Sequence, residues 1–474
     1  MSRKFQVKAV PSTWLQHNGR RLDCGPYMSG AIEARELLSQ MRTEELQSLT
    51  SGHKGGIYNG SPFTRNYVDH ASHGVRFLTT SSMTEADVNI LPLLSKKDAL
   101  SNKLSFLKVE EGMSLITCSG SIGRMAFARA DMTGTWSNQD ILKVVADAEK
   151  ISDGYLYAYL SSRFGVPLIT SGTYGAIIQH IEPHHIGDLP VPRLGDIESK
   201  ADRLIKRAST LRTEAINELK TASEEYLNAA GIGDISPEYW HENSRRIGFS
   251  TTVTKLSLRA MNYLPINKDL ESRVKTTSTQ WKELEQIVVA GTLRSGPRFK
   301  RIDSEPEFGV ELIGQQECFN LRPSGRWIAK KYLPNDQLLF PPDGAVMIAA
   351  QGCAGEHDLF GRAQFITGKR LNYAYSQHFL RVIADENQMP RGALFAYLNS
   401  QIAYRIRKGY QIGSMQQDFH PDMIKKMPVP IIDRTEAERI DAAVRSAYKK
   451  FDDAIDAEDE AIALVERAIE EGGL

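Results

Sequence analysis

Two polar loops carry the side chains best suited to hydrogen-bonding chemistry at a ligand. The first reads Thr170-Ser-Gly-Thr-Tyr-Gly-Ala-Ile-Ile-Gln-His180 and the second Lys408-Gly-Tyr-Gln-Ile-Gly-Ser-Met-Gln-Gln-Asp418. Gly175 and Gly413 let each backbone turn tightly. Around them stand Thr173, Tyr174, Gln179 and His180 in one loop, and Lys408, Tyr410, Gln411, Ser414, Gln416 and Gln417 in the other. Tips of these types supply the donors and acceptors that base edges in a major groove demand. A plain surface loop whose glycine serves only its own turn has the same composition.

Other spacings test for catalysis and do not support it. Ser119-Gly-Ser-Ile-Gly-Arg124 can offer backbone N–H groups to a phosphate, with Ser119 and Ser121 beside the charge of Arg124, or it can be a hairpin. No Gly-Lys-Ser/Thr follows, so a nucleotide P-loop is not supported. His180-Ile-Glu-Pro-His-His185 has the residue types of a metal site, yet Asp418-Phe-His-Pro-Asp422, its counterpart later in the chain, keeps the proline and loses the ligands; a capped helix start explains it better. A methyltransferase acting on adenine needs an Asn/Asp-Pro-Pro-aromatic loop, and Phe340-Pro-Pro-Asp343 lacks both flanking groups. Glu198-Ser-Lys200 is an i,i+2 pair on a helix, whose members do not face one site. The chain therefore reads as having no catalytic residue, no metal and no cofactor of its own.

The 58 basic and 58 acidic side chains cancel, which by itself argues against a phosphate binder. Their distribution does not. Residues 433–474 hold thirteen acidic groups against six basic ones, so residues 1–432 carry an excess of seven positive charges. Basic candidates are Arg65, the cluster Arg294, Arg298, Lys300 and Arg301, the pair Lys330 and Lys331, and the cluster Arg405, Arg407 and Lys408. A basic patch and a solvated surface are both open readings of these. The 41% hydrophobic content suits a globular chain with several cores, and no apolar run is long enough to span a membrane or serve as a signal segment, so the expected location is the cytoplasm. Cys24, Cys118, Cys318 and Cys353 lie far apart and read as free thiols.

Elements that position these residues occur twice. A shift of 238 residues aligns Ser137–Leu194 with Tyr375–Ile432 without a gap and gives 18 identities in 58 positions, where unrelated sequences of average composition would give roughly three or four. Gln139 falls on Gln377, Gly154 on Gly392, Gly175 on Gly413, and Pro190-Val-Pro192 on Pro428-Val-Pro430. With small slips the match continues upstream: Gly60-x-x-Phe63-x-Arg65 on Gly296-x-x-Phe299-x-Arg301, Gly74-Val75 on Gly309-Val310, Gly123-Arg124 on Gly361-Arg362, and Tyr27 on Tyr263. Retention of Gly-Arg by both copies while its neighbours diverge favours a structural role for Arg124 and Arg362 over base reading.

Strands are expected at Met113–Thr117, Arg124–Ala128 and Ile141–Val145, with partners at Val346–Ala350, Arg362–Ile366 and Phe379–Ile383. Helices are expected at Leu156–Phe164 and Leu394–Ile406. After each Pro-Val-Pro comes a long amphipathic segment. In the first, Ile197, Ala201, Leu204, Ala208, Leu211, Ala215, Leu219, Ala222 and Tyr226 recur at steps of three and four; in the second, Ile440, Val444, Ala447, Phe451, Ile455, Ile462, Val465 and Ile469 do so. Each would be roughly 55 Å long at about 1.5 Å per residue. An apolar stripe of that length needs a partner, and the economical one is the other helix, antiparallel. Two similar heads at fixed spacing suit a ligand that repeats along its length, such as duplex DNA.

These features resemble the specificity subunits of Type I restriction-modification systems along essentially the whole chain. The resemblance rests on the two-copy layout, on Gly60-Ser-Pro-Phe-Thr-Arg-Asn-Tyr-Val68 followed by Gly74-Val-Arg-Phe-Leu78, on Cys118-Ser-Gly-Ser-Ile-Gly-Arg124, and on Tyr155-Leu-Tyr-Ala-Tyr-Leu160 running into Pro190-Val-Pro192. Two departures stand out: the second turn is lengthened to Gln351-Gly-Cys-Ala-Gly-Glu-His-Asp-Leu-Phe-Gly-Arg362, and the opening Leu258-Arg-Ala-Met-Asn-Tyr263 is looser. The resemblance implies a mixed α/β (α+β) fold of two duplicated target recognition domains, at 1–192 and 231–430, joined by long helices at 193–230 and 431–474 in an antiparallel coiled coil with pseudo-twofold symmetry. It also implies a non-catalytic DNA reader of a bipartite target, assembled with two adenine methyltransferase subunits that use S-adenosylmethionine and, optionally, ATP-driven restriction subunits. A non-enzymatic protein scaffold and a DNA-binding anti-restriction or nuclease-associated factor are the alternatives.

Overall fold

A computed structural model describes residues 7–472 except 18, 19, 21, 23, 172–179 and 244–247. It divides into two compact units, one of Met1–Val68, His73–Thr213 and Asp453–Leu474, the other of Asp69–Ser72 and Glu214–Asp452. The division falls inside both long helices, Asp196–Ala229 and Arg434–Glu470, so each unit owns a stretch of each.

In the first unit, Ile57–Tyr58, Ile141–Val144, Ser114–Thr117 and Met125–Phe127 form an antiparallel sheet in that order. Ile141–Val144 is apolar apart from one lysine and buried throughout, as a central strand must be. In a second sheet Leu93–Ser95 pairs with both Tyr67–Val68 and Gly74–Leu78, and Trp136–Ser137 lies parallel to the latter. The other unit repeats these pairings, except that the edge strand Tyr67–Val68 is matched only by an isolated bridge from Asp303 to Ile328. Ser114 faces Val144 and Phe127 in one sheet; Val346 faces Val382 and Phe365 in the other. Phe77 faces Trp136 as Leu312 faces Ala374, and Thr43–Glu45 pairs with Pro190–Pro192 as Trp281–Glu283 pairs with Pro428–Pro430. The expected strands are thus present in both copies to within about one residue. The 238-residue spacing also reaches upstream to Thr43 and Trp281.

The expected head helices differ in extent: the first, expected over Leu156–Phe164, ends at Leu160, and the second, expected over Leu394–Ile406, breaks at Ser400. Asp153–Leu160 is followed by a fresh start at Gly165, where the Ser162 hydroxyl accepts from Gly165 N at 3.1 Å; Arg391–Asn399 is followed by Gln401–Gly409, where the Ser400 hydroxyl accepts from Ala403 N at 3.3 Å. A serine N-cap satisfies an amide that the start of a helix leaves orphaned, and so favours a break over continuation. Tyr159 and Tyr397 then clamp the chain exit, their hydroxyls donating to the Pro190 and Pro428 carbonyls.

The long helices pack antiparallel within each unit. In the first, Ala201 and Ile205 share a core with Ala461, Val465 and Ile469, while Ala208 meets Ala454 and Ala457. Arg212 and Glu458 form a buried ion pair there. In the second, Lys450 bridges Glu214 and Glu218 while Arg439 bridges Glu225, so one helix advances as the other retreats. Each head helix presses its start onto the long helix that follows it. Gly154 N donates to the Asp202 carboxylate and Gly392 N to that of Asp441, and a Cβ at either glycine would stand 2.7 or 2.6 Å from that aspartate's oxygen.

One buried cation sits at the same place in both sheets. Lys143 donates to the Ser137 hydroxyl with its ammonium 5.5 Å from the centre of the Tyr58 ring, and burial pushes its pKa down to about 7. Arg381 instead spreads its guanidinium over the carbonyls of Leu338, Phe379, Tyr375 and Ser376.

Candidate nucleic-acid interface

The segment after the strand Ser114–Thr117 turns back tightly. Thr117 N donates to Arg124 O at 2.9 Å, Gly123 N to Thr117 O at 3.0 Å, and the Thr117 hydroxyl to Ser121 O at 2.5 Å. Gly123 at φ +83° and Gly361 at φ +86° occupy the left-handed region that glycine alone enters without strain, which accounts for their retention. Cys118 N donates to Asp140 O at 2.9 Å, and Ser119 bridges His180, which brings the segment after the first polar loop against this turn.

Arg65 lies across the same edge. Its guanidinium donates to Gln139 Oε1 at 3.4 Å, stands 4.0 Å from Asp140 and lies over the Phe77 ring. Gln139 and Asn138 amides both donate to Asp140 Oδ2. Cys118 is buried beneath, where loss of hydration pushes its thiol up to about 11, so it is not a thiolate at neutral pH.

The second unit builds the same edge. Ala350 N donates to His378 O at 2.9 Å, and Arg301 donates to Gln377 Oε1 at 2.7 Å. Gln351 exchanges hydrogen bonds with Gln315, donates to Asp418 Oδ2 at 3.3 Å and meets His378 Nδ1 through its own carbonyl oxygen. Burial, followed by the positive fields of Arg301 and Arg298, holds the His378 pKa below the usual imidazole range. The lengthened turn adds its backbone to a hairpin made by Gln411–Gly413 and Gln417–Phe419, since Gln417 N donates to Gly352 O at 2.8 Å.

The expected site residues separate into several groups. Arg65, Ser119 and His180 meet at the edge of the first unit, with Ser121 and Arg124 in the adjoining turn, where Arg124 donates to the Thr84 hydroxyl. Thr173, Tyr174 and Gln179 lie outside the described residues. In the second unit Arg298 and Lys300 are exposed beside Arg301. Ser414 and Gln416 are exposed at the hairpin tip around Met415, which is 90% exposed, while Gln411 and Gln417 are buried in its stem. Tyr410 is buried too, its hydroxyl donating to Glu271 at 2.8 Å. Arg362 donates to the carbonyls of Asp358 and Glu356 and lies over the Tyr404 ring.

The cluster Arg405, Arg407 and Lys408 is not a basic patch. These side chains are 3%, 1% and 8% exposed. Arg405 grips the Glu356 carboxylate beneath the Trp240 ring, Arg407 donates to the carbonyls of Gly361 and Leu398, and Lys408 donates to Gly355 O. They fasten the lengthened turn to the helix Gln401–Gly409. Burial of a cation is tolerated where carbonyls and a carboxylate surround it.

One histidine after the polar loop of each unit is a cap. His185 Nδ1 accepts from Glu182 N at 2.9 Å in a capping box at Pro183–His185, and His420 Nδ1 accepts from Asp422 and Met423 N at the start of Pro421–Lys425. Sequence reasoning missed Gln139, Asp140, Gln377 and His378 as site residues. The signal was present, because the 238-residue shift already set Gln139 on Gln377.

No helix among the described residues is long and apolar enough to cross a membrane. No protein-family model matches the sequence, and no curated protein does. Solved structures do match. The S subunit of a Type-I restriction-modification system from M. genitalium is 12% identical over 90% of this chain and 94% of its own, with a TM-score of 0.30. The HsdS subunit from Thermoanaerobacter tengcongensis is 13% identical over 92% and 97%, with a TM-score of 0.26. A chain described for complex assembly and conformational transition of the type I R-M system is 12% identical over 91% and 98%, with a TM-score of 0.26. All three neighbours come from Type I restriction-modification systems, and each match runs along about nine-tenths of this chain.

Proposed function

We propose that this chain is the DNA-sequence-specificity subunit of a Type I restriction-modification complex and works in the cytoplasm. Each unit reads one half of a bipartite target in the major groove. The long helices set the gap between half-sites and offer surface to two adenine methyltransferase subunits, which bind S-adenosylmethionine and carry the chemistry. ATP-driven restriction subunits join where cleavage occurs. The observation that carries this reading is the duplication in register. Both units place an arginine on a glutamine at one polar edge of the sheet, Arg65 on Gln139 and Arg301 on Gln377, and both feed a long helix through Pro-Val-Pro.

Within this reading Arg65, Arg298, Lys300 and Arg301 meet phosphates or guanine edges, and the hairpin tip Ser414 to Gln416 with the loop containing Thr173, Tyr174 and Gln179 enters the groove. The test is a genome-wide map of methylated adenines in the host with and without this chain, and with residues 1–190 exchanged for those of a related chain. Methylation at one bipartite motif should vanish on deletion, and the exchange should alter only one half of it. A motif unaffected by either change rejects the reading.

A further inference from the structure

The two polar edges share their scaffold and differ in the residue at the centre. Cys118 N to Asp140 O and Ala350 N to His378 O are the same backbone hydrogen bond at the same point of the repeat, each 2.9 Å long. The preceding glutamine accepts from an arginine in both units. What changes is a carboxylate in one unit for an imidazole in the other.

Both groups present a hydrogen-bond acceptor. Among the described residues the partners of Asp140, namely Asn138, Gln139 and Arg65, all reach Oδ2, which leaves Oδ1 of a half-buried carboxylate for a ligand. For His378 the tautomer follows from Gln351. Its amide nitrogen must donate to the Asp418 carboxylate, so its oxygen faces His378 Nδ1, which therefore carries the hydrogen. In the neutral ring Nε2 is then a lone-pair acceptor.

We infer that Asp140 and His378 are specificity-determining residues of their units, each offering an acceptor to the exocyclic amino group of a cytosine or adenine in the major groove. The inference rests on the DNA-recognition reading above. An amino group is the one donor these bases show there, and guanine O6 or thymine O4 at the same place would set acceptor against acceptor. The Arg65–Gln139 and Arg301–Gln377 pairs keep the backbone and the flanking amide in position.

The test uses the full chain, purified in the complex it forms in its host cell, and a duplex DNA library with a randomised centre from which bound sequences are selected and read. Variants are Asp140→Asn, which keeps the size and supplies a donor, and His378→Met. Each is first matched to the parent in thermal unfolding, with Asp140→Ala and His378→Leu, which lack the acceptor, as second variants should either fail that match. Asp140→Asn should lower the preference at one base pair of one half-site by about tenfold and leave the other half-site unchanged, with His378→Met doing the converse. Unchanged selection by folded variants overturns the inference and leaves the two-unit reading standing. A change spread over both half-sites also overturns it. A parent complex that selects no sequence overturns the recognition reading itself.

Discussion

Arg212 donates to Glu458 at 2.7 Å while the Tyr157 hydroxyl takes the other carboxylate oxygen at the same distance, so a buried ion pair and a head tyrosine are tied together where the long helices cross in the first unit. Breaking such a pair from one side strands the remaining charge. Arg212→Met is expected to destabilise the first unit by about 3–5 kcal/mol, and Tyr157→Phe by about 1 kcal/mol. Arg212→Met combined with Glu458→Met should recover part of the loss. Chemical denaturation of the full chain measures all three, and a single variant as stable as the parent would refute the account.

Gly154→Ala and Gly392→Ala each place a methyl group within 2.7 Å of an aspartate oxygen on the following long helix. Because the methyl would also stand 2.9 Å from the Cα of that aspartate, moving the carboxylate is not enough and the head helix must lift off the long helix. A loss of about 1–3 kcal/mol is expected for each, read as a lowered Tm. Shortening the aspartate in the same chain, Asp202→Ala with Gly154→Ala, should not restore the loss, because the new methyl also stands 2.9 Å from the Asp202 Cα and carbonyl oxygen.

Lys143 gives the stability a pH slope of known sign. Its folded pKa lies at about 7 against an ordinary 10.5, so between those values the unfolded chain binds one more proton than the folded one. Stability contributed by this group therefore rises from pH 7 upward, by at most about 1.4 kcal/mol per unit, and its cost is constant below pH 7. Lys143→Met should remove that rise, which denaturation at pH 7, 8 and 9 would reveal as a flatter curve than the parent's.

Exposed and buried cations should part company in a salt titration. Under the proposed function, Lys300→Ala weakens binding to every duplex alike and lowers the slope of log K against log salt by about 0.9 if it meets one phosphate. Arg407→Met should instead lower the Tm and leave the slope where it was, because its guanidinium is spent on the carbonyls of Gly361 and Leu398. Equal slopes for Lys300→Ala and the parent would remove Lys300 from the interface.

Much of this architecture could be read without coordinates because it was written twice. Periodicity alone located the long helices, and comparison of the copies located three strands in each head. Signals that depend on a single atom were weaker. The Ser400 hydroxyl breaks a helix whose apolar pattern runs straight through it, and a cap has no periodicity to announce it. Arg405, Arg407 and Lys408 have the composition of a surface patch, and only the partners supplied by the lengthened turn turn them inward. Tyr410, Gln411 and Gln417 were expected to point outward with the rest of their loop; Tyr410 instead ends the helix Gln401–Gly409 with its hydroxyl on Glu271, and Gln411 and Gln417 are buried in the hairpin stem. The Arg–Gln pairs escaped notice for the opposite reason. Their members sit seventy-odd residues apart, and only folding brings them within bonding distance.

The backbone bond from Cys118 to Asp140, repeated from Ala350 to His378, fixes where a side chain begins without regard to what that side chain is. An ancestor bearing the same residue in both copies would spell one word twice. Under the proposed function, a single codon change at this point makes the two words different while the backbone bond stays, so new target vocabularies arise by drift within an unaltered frame.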